Sequence, residues 1–289
     1  MADDPPNPNL SSVTQPGTTS VEPPPNLKAR IKESYDAIAP AYNQWTLMHR
    51  AHRMNYTTRL IQFLQADRRR NGHTSHHPPR HLRAGPTTTY DDDGNEIEPE
   101  TPPTSGLAGT PIPSLAGMHA LEVGCGSGVP VLEILLAKDM DIIGVDLSAT
   151  QLALAREHFP EASAGDKCQA VWAEKDMMEL RYPPEEFGVI VGLYSLIHLP
   201  REEQTVFLHR AVRWLKPRGM LLINFAKGEM EGEVIEEWLG LEKGWMYWSS
   251  WGEDKMMQVI GELGLEVLLQ ETTGDVSDAE FVWVIARKN

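Results

Sequence analysis

The sequence is short of cysteine, of basic residues relative to acidic ones, and of long apolar runs, and each shortage removes a class of function. Two cysteines in 289 residues, Cys125 and Cys168, are too few for the disulfide framework of a small secreted scaffold, so a reducing compartment is expected. No stretch reaches the ~18 apolar residues of a membrane span. The segment MADDPPNPNLSSVTQPGTTSVEPPPN has neither the basic nor the apolar region of a secretory signal, so a cytoplasmic protein is expected. Against 26 Lys and Arg stand 41 Asp and Glu, a formal net charge of −15. Proteins that draw their affinity from phosphates present basic surfaces, so nucleic acid is not the expected partner. A metal framework is missing too. His73, His76, His77 and His81 sit in a polar Pro/Arg stretch without flanking elements, and Asp91 to Glu96 resembles a calcium loop whose later acid is replaced by Thr101 and Pro102.

What is present divides the chain into four parts. Residues 1–26 are rich in Pro, Ser, Thr and Asn and have almost nothing to bury, which predicts a disordered tail. Residues 27–66 carry apolar positions at helical spacing, broken at Pro40, and predict two or three helices. Residues 67–116 lose periodicity through a basic and then an acidic run, and predict a mobile insertion. From Gly117 to Asn289 short apolar runs alternate with amphipathic stretches: MHALEV, DIIGVD, CQAVWAE, FGVIVGLY and GMLLINFA are the strands, with helices between them. Such alternation implies a parallel sheet covered on both faces. Two late strands, LEVLLQE and AEFVWVIAR, joined by TTGDVSD, suit an antiparallel return. The expected fold is an α/β, Rossmann-like, seven-stranded, mostly parallel sheet with an antiparallel C-terminal strand and helices on both faces.

The segment with the clearest chemistry is Ala120-Leu-Glu-Val-Gly-Cys-Gly-Ser-Gly-Val-Pro130, a strand running through alternating glycines into a helix. Gly124, Gly126 and Gly128 let the backbone turn tightly and approach a ligand with no Cβ in the way. A nicotinamide fingerprint, G-x-G-x-x-G, would need glycine at 129 or 131, where valine stands, so an oxidoreductase is disfavoured. Asp146 ends the next strand 22 residues after Gly124, the distance at which a carboxylate reaches the hydroxyls of a ribose.

The run Glu122-Val-Gly-Cys-Gly-Ser-Gly128 resembles motif I of the class I S-adenosylmethionine methyltransferases, and the likeness extends over nearly all of residues 117–289. The resemblance implies S-adenosylmethionine as cofactor, held by Glu122, Gly124, Cys125, Gly126, Gly128 and Leu147, with Asp146 at the ribose. It also implies Asp176 and Met177 at the adenine, and Leu193 or Tyr194 of Gly192-Leu-Tyr-Ser-Leu-Ile-His-Leu199 at the ammonium group. His198 occupies the family position at the mouth of the donor site and is the candidate catalytic base, a packing histidine being the alternative. Tyr35-Asp-Ala-Ile-Ala-Pro-Ala-Tyr-Asn43 resembles the N-terminal helix of the ubiquinone/menaquinone-type enzymes, a lid over the donor. This would bring Tyr42 to the donor and Trp45 to the substrate.

Between the fifth strand and the next helix, EEWLGLEKGWMYWSSWGEDK puts four tryptophans in fourteen residues, more than packing one helix demands. Trp245, Tyr247 and Trp248 could wall an apolar acceptor pocket, core packing being the alternative. The fourth strand lacks the Asn/Asp-Pro-Pro-Tyr of nucleic-acid amino methylation, so a small-molecule acceptor is expected. The whole pattern is similar to fungal dithiol S-methyltransferases of secondary metabolism, which puts a thiol first, a phenol or carboxylate hydroxyl second and a quinol carbon third. A monomer or weak homodimer is expected. Outside enzymes, the alternative is a donor-binding, non-catalytic partner subunit.

Overall fold

The structure, a computed structural model, describes residues 22–71, 113–163, 169–274 and 279–289. The histidines at 73, 76, 77 and 81, the Asp91–Glu96 run, Cys168, and most of the predicted tail and insertion lie outside the described residues.

Two helices come first, α1 (Leu27–Met48) and α2 (Ala51–Arg70). The predicted break at Pro40 does not occur, since α1 continues through it. Proline removes one N–H from the helical ladder, and the packing of α1 against the rest of the fold offsets that loss. Helix α2 also runs past the expected boundary at residue 66, and Leu115, assigned to the insertion, is buried in the core. Within residues 65–114, a separate unit by its contacts, Arg68 donates to the Ser114 carbonyl and Asn71 Nδ2 donates to the Asp67 carbonyl at 2.8 Å.

The alternating half forms β1 (His119–Val123), α3 (Val131–Leu136), β2 (Asp141–Asp146), α4 (Ala149–His158), α5 (Pro160–Ser163), β3 (Ala170–Glu174), β4 (Phe187–Gly192), α6 (Arg201–Trp214) and β5 (Leu215–Ala226). Then follow β6 (Glu229–Ile235), β7 (Met246–Trp251), α7 (Gly252–Glu262), β8 (Leu265–Gly274) and β9 (Glu280–Lys288). Seven strands make one sheet in the order β3-β2-β1-β4-β5-β9-β8. β1 to β5 pair in parallel, and β9 is antiparallel to both β5 and β8. The expected fold is thus the observed one.

Strand alternation divides the core in two. Ala120, Val189, Val191 and Leu222 face α3 and Tyr56 of α2, while Leu121, Ile190, Leu221 and Ile223 face α6 and α7. β4 is buried at every position because both of its faces are covered, which is why it reads as a continuous apolar run.

Where the pattern predicts no strand, between β5 and α7, the chain forms a second sheet. β6 and β7 pair antiparallel with Glu233 opposite Trp248 and Val234 opposite Tyr247, and a 3-10 turn at Trp238–Gly240 lies between them. The aromatics of this segment therefore point to alternate faces of a ribbon, as aromatic-rich strands do. Among the described residues no helix is long and apolar enough to cross a membrane.

Candidate active site

The carboxyl ends of β1, β2 and β4 lie side by side, and the loops leaving them enclose a cavity. Crossovers on opposite faces leave such a crevice at the strand ends of any doubly wound sheet. Gly124 makes the turn after β1 possible: its φ is +66°, and a Cβ there would sit 2.4 Å from Ser195 Cβ in the turn after β4. Gly126, next along the loop, donates its N–H to Asp146 Oδ2 at 2.8 Å, and Ser148 N–H reaches Oδ1 at 2.9 Å. Burial pushes the Asp146 carboxyl up, and these two amides pull it back toward the ionised form. Glu122, at the end of β1, is buried and its Oε2 has no partner among the described residues. Burial raises its carboxyl well above the ordinary range, against the opposing pull of the Arg53 guanidinium.

Helix α1 crosses this opening and is tied to it by polar contacts at several points. Ser148 Oγ donates to Asp36 Oδ1 at 2.6 Å while accepting Gln151 N–H as the cap of α4. Thr150 N–H also reaches Asp36 Oδ1, at 3.1 Å. Lys32 Nζ lies 2.8 Å from Glu174 and Lys28 Nζ 3.8 Å from Asp176, both at the end of β3. Toward the other end of α1, Ser127 Oγ donates to Asn43 Oδ1 at 2.6 Å. Tyr35, Tyr42 and Thr46 thereby line the cavity opposite the glycine loop.

The titratable pair at the centre is His198 with Tyr35. His198 Nδ1 lies 3.0 Å from the Tyr247 carbonyl, which can only accept, so Nδ1 carries the proton. Nε2 is then the acceptor for the Tyr35 hydroxyl at 2.9 Å. Burial pushes His198 down to about 4 and the Tyr35 phenol well up, so at neutral pH both groups are uncharged.

Most of the residues singled out from sequence meet here. Tyr42, Glu122, Gly124, Cys125, Gly126, Asp146, Leu147, Asp176, Met177, Leu193, Tyr194 and His198 all line the one cavity. Gly128 does not; it turns behind the loop, where a Cβ would meet the Phe159 ring at 2.8 Å. Trp245 and Tyr247 do not line it either. Their rings are buried against Leu27 and Ile31 of α1, and Tyr247 serves the site through its carbonyl alone. Trp45 stacks on Tyr42 with centroids 5.9 Å apart, and Trp248 meets Trp238 edge-on at 6.2 Å. Trp238 in turn packs on Tyr42 at 5.4 Å, so these four rings form an aromatic wall beside the cavity. Asp176 also caps the turn at Met177–Glu179, its Oδ1 accepting Met178 N–H at 2.9 Å.

Sequence reasoning missed Arg53, Gln151 and the role of Tyr35. Arg53 is a buried arginine of α2 whose guanidinium lies 4.2 Å over the Tyr194 ring and lines the cavity. Gln151 of α4 is buried with neither side-chain polar atom bonded among the described residues. A basic residue on an apolar helix face and a glutamine at a buried register were the available signals.

Residues 120–219 match the methyltransferase domain family. The chain is 33% identical over 135 residues to the 27-O-demethylrifamycin SV methyltransferase of Amycolatopsis mediterranei, covering 46% of this chain and 48% of that one. It is 31% identical over 135 residues to the ubiquinone biosynthesis O-methyltransferase of Nitrobacter winogradskyi, covering 43% and 48%. It therefore spans about half the length of these curated relatives. In fold it is similar to the magnesium protoporphyrin IX methyltransferase of Synechocystis PCC 6803, solved with bound SAH, with a TM-score of 0.56, 15% identity, and 91% of this chain and 100% of that one covered. The β1 loop, the strand order and the cavity agree with this match of residues 120–219 to the methyltransferase domain family.

Proposed function

We propose that this protein transfers a methyl group from S-adenosylmethionine to a small-molecule acceptor, a hydroxyl in preference to a thiol. The observation that carries the donor reading is the set of unsatisfied buried polar atoms in one cavity: Glu122 Oε2, both ends of the Gln151 amide and Ser195 Oγ. Buried polar groups are nearly always bonded, so a cluster of orphans calls for a polar ligand. A ribose with an amino-acid head meets that demand. Each Asp146 oxygen accepts one backbone amide and keeps a lone pair for a ribose hydroxyl, with Gln151 beside it. Leu147 and Met177 would flank the adenine and Asp176 would face its amino group. Arg53 supplies a positive charge for the carboxylate.

When bound, the donor supplies a methyl carbon on a sulfonium, so the chain has to align the acceptor and take up a proton. The Tyr35–His198 pair is suited to that proton. As the acceptor oxygen gains a methyl group its own proton becomes strongly acidic, and even a base weakened by burial suffices. Tyr35 Oη would receive that proton while its own passes to His198 Nε2, with the Tyr247 carbonyl holding the tautomer. A thiol, with a pKa of about 8.5, ionises without such help, and this favours a hydroxyl over the thiol that the sequence pattern puts first. The wall of Tyr42, Trp45, Trp238 and Trp248 suits a flat apolar acceptor. Helix α1 would act as the lid, released through its Asp36, Lys32 and Asn43 contacts.

Calorimetric titration with S-adenosylhomocysteine, followed by transfer of labelled methyl to phenol, quinol and thiol acceptors, tests this. One-to-one binding with label on a hydroxyl, abolished by Tyr35→Phe, is the expected result. Binding without transfer to any acceptor would favour the non-catalytic partner, label on sulfur alone would restore the thiol, and no binding would overturn the donor reading.

A further inference from the structure

The turn after β4 is held by a residue of β5, the neighbouring strand of the same sheet. Tyr194 has φ +55°, a left-handed conformation that an L-residue keeps only when its surroundings hold it there. Its N–H points to Asn224 of β5, whose Oδ1 accepts it at 2.6 Å. Asn224 is completely buried, stands opposite Trp283 of β9, and has its Nδ2 without a partner among the described residues. An amide this deep in a sheet needs a reason, since leucine or valine would pack there without an orphaned donor.

The reason lies in the peptide plane. A trans peptide is rigid, with its N–H and the preceding C=O pointing in opposite directions. With the Tyr194 N–H turned toward β5, the Leu193 carbonyl is turned the other way, toward the β1 side of β4, and Leu193 lines the cavity at those strand ends. Inverting that one plane would move the Tyr194 φ by about half a turn, from the left-handed region into the ordinary extended one. The relaxed turn would present an N–H to the cavity, and the observed turn presents a carbonyl. We infer that Asn224 is a positioning residue: by holding the Tyr194 amide it fixes the Leu193 carbonyl as the acceptor that the ammonium group of the donor meets. The inference rests on the donor reading above.

Two ligands separate this role from a merely structural one. S-Adenosylhomocysteine carries the ammonium group, and 5′-methylthioadenosine keeps the adenosine and sulfur without the amino-acid head. Asn224→Leu removes the acceptor while keeping the branched four-atom shape of the side chain, and Asn224→Asp retains it. In calorimetric titrations of the full chain, Asn224→Leu should weaken S-adenosylhomocysteine roughly tenfold to a hundredfold, the range for losing a hydrogen bond to a charged group. Its affinity for 5′-methylthioadenosine should stay within about twofold, and Asn224→Asp should keep the wild-type preference for the amino-acid head. Should Asn224→Leu not fold, Asn224→Ser, whose hydroxyl falls short of the Tyr194 amide, makes the same comparison. Equal losses for both ligands, or none for either, would overturn the inference while the donor reading stands. A wild type that binds neither ligand would overturn the donor reading and take this inference with it.

Discussion

The two walls of the cavity are built differently. The wall formed by β1, β2 and β4 uses residues from Glu122 to His198, at adjacent strand ends, and works mainly through backbone: a glycine turn, amides on Asp146, a held peptide at Leu193. The opposite wall draws on α1, α2 and the β6–β7 ribbon, far apart in the chain, and works through side chains: Tyr35 on His198, Trp45 on Tyr42, Trp238 on Trp248. Backbone geometry at a strand end is dictated locally and tolerates little change. Side-chain walls from distant segments can be rebuilt without disturbing the sheet, so under the proposed function the first wall would serve an unvarying donor and the second a variable acceptor.

The sharpest break of that contrast would come at His198, where the two walls meet. His198→Ala should lower turnover on a hydroxyl acceptor by roughly 10²- to 10⁴-fold, the usual worth of a general base, and leave S-adenosylhomocysteine affinity within about twofold. Steady-state kinetics beside calorimetry decides, and normal turnover would reduce the residue to packing. Trp245→Ala addresses the acceptor wall from behind. Because this ring is buried against α1, the substitution should cost about 3–5 kcal/mol of stability in urea unfolding. An unchanged stability with a raised acceptor KM would return Trp245 to the pocket wall.

On the donor wall, Asp146→Ala should weaken S-adenosylhomocysteine about a hundredfold while the cooperative melt is retained, as expected for losing charged hydrogen bonds to two hydroxyls. Unchanged affinity would remove the ribose assignment.

A smaller effect is expected in pH dependence. His198 titrates near 6.5 when unfolded and at about 4 when folded, so between those values the unfolded state binds the extra proton. Its contribution to stability is fully present above about pH 6.5 and is lost as pH falls toward 4. Glu122 and Asp146, raised by burial, act in the opposite sense, so the informative quantity is the difference between wild type and His198→Gln in unfolding at pH 4.5 and pH 7. The same shift moves the acid limb of kcat well below 6.5, and an inflection at 6.5 would show that the imidazole is solvated. Smallest is Lys32→Ala, which removes partly exposed ion pairs with Asp36 and Glu174 and should change stability by less than about 1 kcal/mol.

How far the molecule was legible follows the same division. The seven strands, their mostly parallel pairing and the donor wall could be read because apolar period and glycine spacing are local signals that the backbone obeys. Gly128 was legible as a turn, but the side of the loop it faces was not, since a positive φ does not say which side borders the cavity. The β6–β7 ribbon was not legible, because tryptophan-rich segments suit a strand or a helix until a neighbour is known. Pro40 misled for a similar reason, since local chemistry breaks the helix while tertiary packing carries it through.

The sequence by itself determined the sheet, its covering helices, the glycine turn and the acids at the ends of β1, β2 and β3, because each follows from residues within a few positions of one another. Only the tertiary structure decided that Tyr35 would close on His198, that Arg53 and Gln151 would turn polar groups into the cavity, and that Asn224 would hold the peptide of Tyr194. Those contacts join residues far apart in the chain, and a buried hydrogen bond is chosen by whichever partner the packing of the whole chain brings within reach.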